Sequence, residues 1–271
     1  GAAPAQRRFL GPLRHLDRRG LRALLRVTDL ALSYGAAPVL EGVSLEVPGG
    51  KFVSLIGPSG SGKSSLLRAV IGLQQPSAGE VTSDFAASEI GILFQDDALL
   101  PWRNAEENVA LGLRLKGVDR GSALASARQW LTRLGLYGLS ERWPRQLSGG
   151  QRKRVALAQV LAREPKLLLM DEPFASLDAI VRARVTGDLA RLVEQRGISV
   201  LLVTHDLEEA LALSDTVYLM SQGPRAQIAG RYEVTLPRPR DPMTARTHPD
   251  FAPLLTRMWQ DLSREVGGRA A

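Results

Sequence analysis

The segment at residues 57–64 constrains this chain more than any other. It reads Gly57-Pro58-Ser59-Gly60-Ser61-Gly62-Lys63-Ser64 and matches the pattern G-x-x-x-x-G-K-[S/T]. An apolar run at residues 51–56 precedes it, and apolar residues at helical spacing follow it through residue 71. A strand, a glycine-rich turn and a helix in this order are the context in which such a segment cradles phosphate groups. The sequence therefore predicts a phosphate-binding loop, the P-loop, in preference to an ordinary glycine-rich turn.

The residue types of the P-loop account for that chemistry. Glycines let the backbone curl so that several N–H groups point inward, and the start of the following helix adds its positive end. Lys63 is then expected to reach the β- and γ-phosphates of a nucleotide, and the Ser64 hydroxyl to ligate Mg²⁺. The predicted nucleotide-binding residues of this segment are Gly57, Pro58, Ser59, Gly60, Ser61, Gly62, Lys63, Ser64 and Ser65.

The positive charge of the chain is concentrated at its N-terminal end. The 271 residues carry a formal net charge of +7, yet residues 1–26 alone contain seven Arg and one Asp. The rest of the chain is therefore almost neutral, which argues against nucleic-acid binding by the folded body. Residues 1–26 are broken by Gly11-Pro12 and Gly20, and they predict a basic, flexible N-terminal tail. A basic helix lying on a membrane surface is the alternative.

Composition excludes several other classes of protein. The chain has no cysteine, which excludes disulfides and thiol chemistry and suits a reducing compartment. No apolar run approaches the roughly 18 residues that span a bilayer, and nothing resembles a signal peptide. We therefore expect any work at a membrane to go through a partner. The length suits one large domain, or a domain that carries an inserted lobe.

Hydrophobic periodicity divides the chain into α/β and helical parts. Strands are predicted at residues 27–34, 43–47, 51–56, 81–85, 90–94, 166–170, 198–203 and 216–220. The runs at 166–170 and 198–203 are continuously apolar, as is typical of central parallel strands that are covered on both faces. Helical spacing at residues 104–136 pauses at 117–121, where Ser122 is the predicted N-cap of the second helix. We interpret residues 96–160 as a helical lobe inserted into the α/β body.

Two carboxylates end the strand at residues 166–170. Asp171 would emerge beside the nucleotide and hold the Mg²⁺ shell, and Glu172 would accept a proton from the attacking water. A buried strand with a solvated acidic end is the simpler interpretation of these residues. Together with a P-loop, the pair favours nucleotide hydrolysis.

A second anion-binding helix start is predicted at residues 147–151, which read Leu147-Ser148-Gly149-Gly150-Gln151. With this signature the chain, over about residues 27–250, resembles the ATP-binding-cassette (ABC) ATPases. The resemblance implies an α/β fold with a P-loop core, a largely parallel sheet, an N-terminal antiparallel β portion and an inserted helical lobe. It also implies a head-to-tail dimer with ATP and Mg²⁺, in which Ser148, Gly149, Gly150 and Gln151 contact the γ-phosphate held by the partner. A C-terminal helix and tail would occupy residues 251–271.

The same resemblance implies roles for four further residues. Tyr34 stands where an aromatic ring stacks on adenine, although a lone Tyr at a strand end is more often packing. Gln95 stands where a Gln contacts Mg²⁺ and the attacking water, and Asp178 where a loop crosses the dimer interface. His205 stands where a His contacts the γ-phosphate. The implied catalytic residues are Glu172, His205 and Gln95, and the implied metal ligands are Ser64, Gln95 and Asp171.

Within the family, residues 93–103, 205–210 and 236–241 are similar to the ATPases of nitrate, sulfonate and taurine importers. This implies a peripheral subunit on the cytoplasmic face of the cell membrane, powering uptake of a small anionic solute through a separate permease and, indirectly, an external solute-binding protein. The apolar run at residues 99–102 predicts the permease docking site, with packing beneath the helical lobe as the alternative for Leu99 and Trp102. Alternatives for the function are an ABC ATPase of another envelope system, such as lipid trafficking, and a nucleic-acid ATPase that uses the basic tail.

Overall fold

The computed structural model describes residues 23–238 and 240–267, so most of the predicted basic tail lies outside the described residues. The strands, in chain order, are β1 Ala23–Tyr34, β2 Ala37–Pro48, β3 Phe52–Ile56, β4 Ala78–Ser83, β5 Ile90–Leu93, β6 Leu167–Asp171, β7 Ser199–Val203, β8 Thr216–Met220 and β9 Ile228–Glu233. Strand β1 begins at Ala23, so the prediction that the tail continues to residue 26 is wrong for its last residues. The alternating apolar pattern that predicted a strand at residue 27 extends back to Leu25, which is also buried.

Six strands form the main sheet, in the order β5-β6-β7-β3-β8-β9. All neighbours in this sheet are parallel except β8 and β9, which are antiparallel. Every residue of β3, β6, β7 and β8 is buried, which explains why their sequences are almost continuously apolar. Strands β2, β1 and β4 form a separate antiparallel sheet. The predicted fold class is therefore confirmed, while β9 was not predicted because it contains Gly230, Arg231 and a mostly exposed face.

Eight α-helices accompany the sheets within the described residues: α1 Lys63–Val70, α2 Ala105–Leu115, α3 Arg120–Arg133, α4 Gly149–Leu161, α5 Ala179–Arg196, α6 Leu207–Leu213, α7 Pro242–Ala245 and α8 Phe251–Gly267. Two short 3₁₀ helices lie at Ala87–Glu89 and Pro144–Gln146. Helices α2, α3 and α4 share one apolar cluster with β5 and β6, in which Trp130 and Leu136 are buried. None of the helices in the described part of the chain has the length and apolar character of a membrane-spanning segment.

The predicted N-cap of helix α3 is wrong. The carboxylate of Asp119, not the hydroxyl of Ser122, caps this helix, and it accepts a hydrogen bond of 3.0 Å from the Ser122 backbone N–H. Both residue types are good caps, but the chain leaves the extended conformation at Asp119. Helix α3 therefore starts earlier than its apolar spacing suggested.

Arginines of the segment at residues 236–241 fasten the C-terminal part of the chain to the sheet. The buried Arg240 donates to the backbone carbonyls of Leu213, Val234 and Leu236, and its Nη1 donates to Asp215 at 3.1 Å. Arg238 also donates to Asp215. The Asp215 carboxylate in turn accepts a 2.9 Å hydrogen bond from the N–H of Phe52, the first residue of β3. This segment, which marked the importer resemblance, therefore has a structural function at the edge opposite the P-loop.

Candidate active site

The order of the strands brings the predicted site residues to one edge of the main sheet. The P-loop follows β3, His205 follows β7, Asp171 ends β6 and Gln95 follows β5. Because β5, β6, β7 and β3 are parallel neighbours, their carboxyl ends lie side by side. This edge is where open α/β sheets bind their ligands. Residues spread over more than a hundred positions of sequence are thus neighbours in space.

Two P-loop glycines are required by close approach to other parts of the chain. A Cβ on Gly57 would lie 2.9 Å from the Met220 Cβ, and a Cβ on Gly62 would lie 2.6 Å from the Leu40 Cδ2. Gly62 also has a φ of +86° and is the N-cap of α1, without any side-chain cap. The first N–H groups of α1 therefore have no side chain over them, and they remain available to an anionic ligand.

Lys63 lies inside the P-loop and is only 8% exposed. Its Nζ donates to the carbonyl oxygens of Gly57 at 2.8 Å and Pro58 at 2.7 Å, and to the Ser61 hydroxyl at 3.3 Å. Burial lowers the pKa of Lys63, while the carboxylates of Glu172 and Asp171 oppose that shift. The ammonium group is thus held at the phosphate cradle by its own loop, and a bound phosphate would compensate its buried charge.

Asp171 has the properties of a metal ligand. It is 5% exposed, and its Oδ1 is buried without any hydrogen-bond partner. An orphaned carboxylate oxygen is costly unless a cation or a donor completes its coordination. The carboxylate of Asp171, the hydroxyl of Ser64 and the amide oxygen of Gln95 are the oxygen donor types that suit Mg²⁺. Mg²⁺ would neutralise phosphate charge there.

Glu172 and His205 form a pair that the sequence did not predict. The Nδ1 of His205 lies 2.8 Å from the carboxylate of Glu172, and the imidazole is largely exposed whereas the carboxylate is mostly buried. Glu172 has a left-handed backbone with φ of 49°, and its N–H donates to the Val203 carbonyl at 2.9 Å. A left-handed non-glycine residue costs on the order of 1 kcal/mol or more, and such residues cluster at functional sites. The backbone therefore fixes the direction of this carboxylate.

Tyr34 lies at the end of β1, next to the P-loop helix. A hydrogen bond of 3.2 Å joins its hydroxyl to that of Ser65, and this bond, with help from the nearby Arg68, lowers the pKa of Tyr34. About half of the side chain is exposed, so the ring is not packed into the core. Core packing is therefore not the explanation for this aromatic residue.

Gln95 is exposed at the end of β5, and its backbone is held by a residue that sequence reasoning missed. Lys153, in the second turn of α4, donates from its Nζ to the carbonyl oxygens of Phe94 at 2.9 Å and Gln95 at 2.6 Å. Lys153 stands between Arg152 and Arg154 in the sequence, a basic run that does not by itself indicate a buried residue. The only sequence signal was its place on the apolar side of the helix, three residues before Ala156.

The signature forms the start of α4. Ser148 is the N-cap: its hydroxyl accepts from the Gln151 N–H at 3.2 Å, and the Gln151 side chain accepts from the Ser148 N–H at 2.8 Å. Both side chains are therefore engaged in a capping box. Among the residues that the structure describes, no hydrogen bond or ion pair joins residues 147–151 to the P-loop. The signature is not brought to this chain's own phosphate cradle by any such contact.

Asp178 lies beside the signature rather than beside the P-loop. Its carboxylate accepts from the Val181 N–H at 3.0 Å and caps α5. The preceding loop contacts the signature, since a Cβ on Gly150 would lie 3.2 Å from the Leu177 Cδ2. Asp178 is exposed, and so is Ile180 in the first turn of α5. The two helix starts therefore present one continuous surface.

Glu209 is a further carboxyl near the site that was not predicted. It lies in α6, where its N–H donates to the Asp206 carboxylate. Burial raises its pKa to about 7, and the nearby charges of Asp206 and Glu172 act in the same direction, whereas a hydrogen bond with Thr204 opposes the shift. Its neighbours Thr204 and Asp206 flank His205. Protonation of Glu209 therefore affects the charge of the Glu172–His205 surroundings near neutral pH.

The sequence profile of the ABC transporter family matches residues 40–175. The chain is 43% identical over 246 residues to the aliphatic sulfonates import ATP-binding protein SsuB 2 of Pseudomonas aeruginosa (strain UCBPP-PA14), covering 89% of this chain and 86% of that protein. It is 41% identical over 206 residues to the taurine import ATP-binding protein TauB of Escherichia coli O157:H7, covering 74% of this chain and 81% of that protein. A solved structure, the dimeric post-hydrolysis state of the ATP-binding cassette MJ0796 bound to ADP and Pi, is similar with a TM-score of 0.71 at 30% identity, covering 78% of this chain and 98% of that one.

Proposed function

Because this chain belongs to the ABC transporter family, we propose that it is the ATP-hydrolysing subunit of an importer for aliphatic sulfonates or taurine. The observation that carries the proposal is the common sheet edge at which Lys63, Asp171 and the Glu172–His205 pair meet. Relatives named for sulfonate and taurine import cover most of the chain. The cargo class rests on the names of these relatives. Residues of the ATPase subunit cannot indicate it, because other subunits bind the solute.

Each residue at this edge of the sheet has a separate role in ATP hydrolysis. Lys63 binds the terminal phosphates of ATP, and Tyr34 supplies an open aromatic ring for the adenine. Asp171 and Ser64, with Gln95, are the residues that would hold Mg²⁺. Glu172 is oriented by its backbone and by His205 to take the proton of the attacking water. Once that proton has moved, the imidazole next to the carboxyl provides a route for its release.

A second copy of the chain completes the site in this proposal. Within the described residues, no hydrogen bond or ion pair joins the signature to its own P-loop, Ser148 and Asp178 are exposed, and a cassette of similar structure is dimeric with ADP and Pi. A head-to-tail pair would place each signature on the phosphates held by the other chain. The exposed Ile180 would then be covered by the partner, which removes apolar surface from water.

The proposed docking site for the permease is the turn at residues 99–102. Trp102 is 68% exposed, so it does not pack beneath the helical lobe, whereas Leu99 is partly buried and contacts the core. The fully buried Asn108 holds this turn, because it accepts from the Leu100 N–H at 2.8 Å and donates to the Arg103 carbonyl at 3.0 Å. A rigid apolar turn close to Gln95 suits a short helix of a membrane subunit. The ATPase would then act at the cytoplasmic face of the membrane.

The docking site can be tested by separating ATP hydrolysis from assembly. Leu100→Asp combined with Trp102→Ala should leave the basal hydrolysis of the purified chain nearly intact. The same variant should lose co-purification with the permease encoded beside it, and it should lose solute uptake. Leu115→Asp with Tyr137→Ala is a matched control, since both residues are exposed apolar side chains of the helical lobe away from this turn. Normal co-purification of the Leu100/Trp102 variant would refute docking at this turn.

The cargo class is tested on the assembled transporter. Hydrolysis by the complex in vesicles should rise when its solute-binding protein is loaded with taurine or an alkanesulfonate, and it should not rise with nitrate. Stimulation by a phospholipid carrier instead would favour the lipid-trafficking alternative. Absence of ATP hydrolysis by the wild-type complex would contradict the proposed activity as a whole.

A further inference from the structure

Lys153 is a buried cation whose position the P-loop chemistry does not explain. It is 4% exposed, and two of its hydrogen bonds go to the adjacent carbonyls of Phe94 and Gln95. The carboxylate of Asp97 lies 3.9 Å from its Nζ. Burial lowers the pKa of Lys153, and Asp97 is the strongest of the acidic groups that oppose this shift. Because a buried charge is costly, an apolar residue would pack here at lower cost.

Arg152 extends the same link toward the signature. Its Nε donates to Asp97 at 3.3 Å and its Nη1 donates to the Leu147 carbonyl at 2.8 Å. Two consecutive residues of α4 therefore bind the segment at residues 94–97. The first turn of the same helix is the signature. A displacement of Gln95 would be transmitted to α4 through short hydrogen bonds to a packed, rigid element.

We infer that Lys153 is a positioning residue that couples Gln95, in the chain's own ATP site, to the signature, which serves the partner's site. The inference rests on the proposed ATPase dimer. Binding of nucleotide at Gln95 shifts the two carbonyls that Lys153 holds, and helix α4 moves with them. Nucleotide binding in one site therefore changes the position of the signature in the other site, and the two ATP molecules are hydrolysed cooperatively.

The inference is tested with Lys153→Met in the full transporter complex. This variant keeps the length and packing of the side chain but removes its charge and its donors. We expect kcat to fall at least about 10-fold and the Hill coefficient for ATP to fall from above 1 to 1. The affinity of the isolated chain for ATP should stay within about twofold, since Lys153 does not contact the P-loop. Lys153→Gln keeps side-chain N–H donors and should recover part of both losses.

Lys116→Met is the matched control, because Lys116 also donates to a backbone carbonyl, that of Arg163, but it is exposed and far from Gln95 in the chain. Its kcat and Hill coefficient should be normal. The inference is overturned if Lys153→Met keeps the wild-type kcat and Hill coefficient, or if ATP affinity and melting temperature fall in step with kcat. If Lys153→Met does not fold, the same readouts on Lys153→Gln decide. ATP-dependent dimerisation of Glu172→Gln tests the dimer separately, so failure of the two ideas can be told apart.

Discussion

The two anion-binding helix starts of this chain differ in how complete they are. At the P-loop, the N-cap of α1 is a glycine without a side chain, and the buried Lys63 lies in the cradle. At the signature, the N-cap of α4 is Ser148, and a capping box occupies the N–H groups of Ser148 and Gln151 while leaving those of Gly149 and Gly150 outside it. The first helix start has a buried cation beside uncapped N–H groups, whereas two N–H groups of the second are occupied by its own side chains.

The difference indicates how affinity and hydrolysis are divided. A cradle with an unpartnered Asp171 oxygen and open N–H groups binds ATP within one chain. Since no hydrogen bond in the described part of the chain joins the signature to its own phosphate cradle, we expect it to bind a phosphate that a partner chain presents, through the N–H groups outside the capping box. We therefore expect a single chain to bind ATP and a pair of chains to hydrolyse it. The following variants test that division.

Lys63→Ala removes the cation of the open helix start and has the largest expected effect. Loss of a buried charge-assisted contact should weaken ATP binding by about 2–5 kcal/mol and abolish hydrolysis. Titration calorimetry on the single chain measures the first effect, and phosphate release measures the second. Lys166→Ala is the control, since Lys166 is largely exposed and pairs with Glu89 away from the site. Normal turnover by Lys63→Ala would contradict the claim that ATP binding and hydrolysis depend on the cation of the open helix start.

Glu172→Gln leaves both helix starts intact but removes the proposed base. Hydrolysis should slow at least about 10²-fold, while ATP still binds and holds two chains together. Light scattering with and without ATP detects the dimer, and a stopped assay gives the rate. A variant that stays monomeric with ATP, or one that cycles normally, is incompatible with the role of Glu172.

Ser148→Ala removes the N-cap hydroxyl of the signature, which in the proposed dimer contacts the γ-phosphate held by the partner. Loss of an N-cap should cost about 1 kcal/mol of stability, and we expect hydrolysis to fall roughly 10-fold with ATP binding to the single chain unchanged. Asp119→Ala is a matched control, because it removes the N-cap of α3 in the same helical lobe. Equal loss of hydrolysis in the two variants would mean that helix stability, rather than the signature, limits the reaction.

Glu209→Gln changes a carboxyl group near the Glu172–His205 pair. It has the smallest expected effect of these variants, a change in how the free energy of unfolding depends on pH. Because the pKa of Glu209 is raised from 4.5 to about 7, the folded chain keeps a proton that the unfolded chain loses. The free energy of unfolding of the wild type should therefore fall as pH rises between 4.5 and about 7. Because this side chain is partly exposed, we expect the free energy of unfolding to fall by about 1–2 kcal/mol over that range. Urea denaturation at pH 5 and pH 8 should show a smaller drop for Glu209→Gln; an equal drop would remove Glu209 as the cause.

Contacts between distant segments set the limit of what could be predicted. The strand ends that carry Asp171, Gln95 and His205 were correctly located, because continuous apolar runs ending in polar residues are a local pattern. Strand β9 was missed, since its pairing with β8 compensates for a weak local pattern. The roles of Asn108 and Arg240 were missed for a similar reason. Both side chains stabilise the fold by donating hydrogen bonds to backbone carbonyls, Asn108 to that of Arg103 and Arg240 to that of Val234. These carbonyls face the two side chains only in the folded chain.

The sequence was enough to identify the P-loop, the acidic strand end and the signature, because each consists of backbone N–H groups and side chains within a few residues of one another. It also determined the parallel sheet, since only strands covered on both faces are apolar throughout. Only the fold shows that His205 contacts Glu172, that burial raises the pKa of Glu209 and that Lys153 donates to the carbonyl of Gln95. Those properties depend on burial and on distances of about 3 Å between strands and helices far apart in the chain, which no local pattern of residues records.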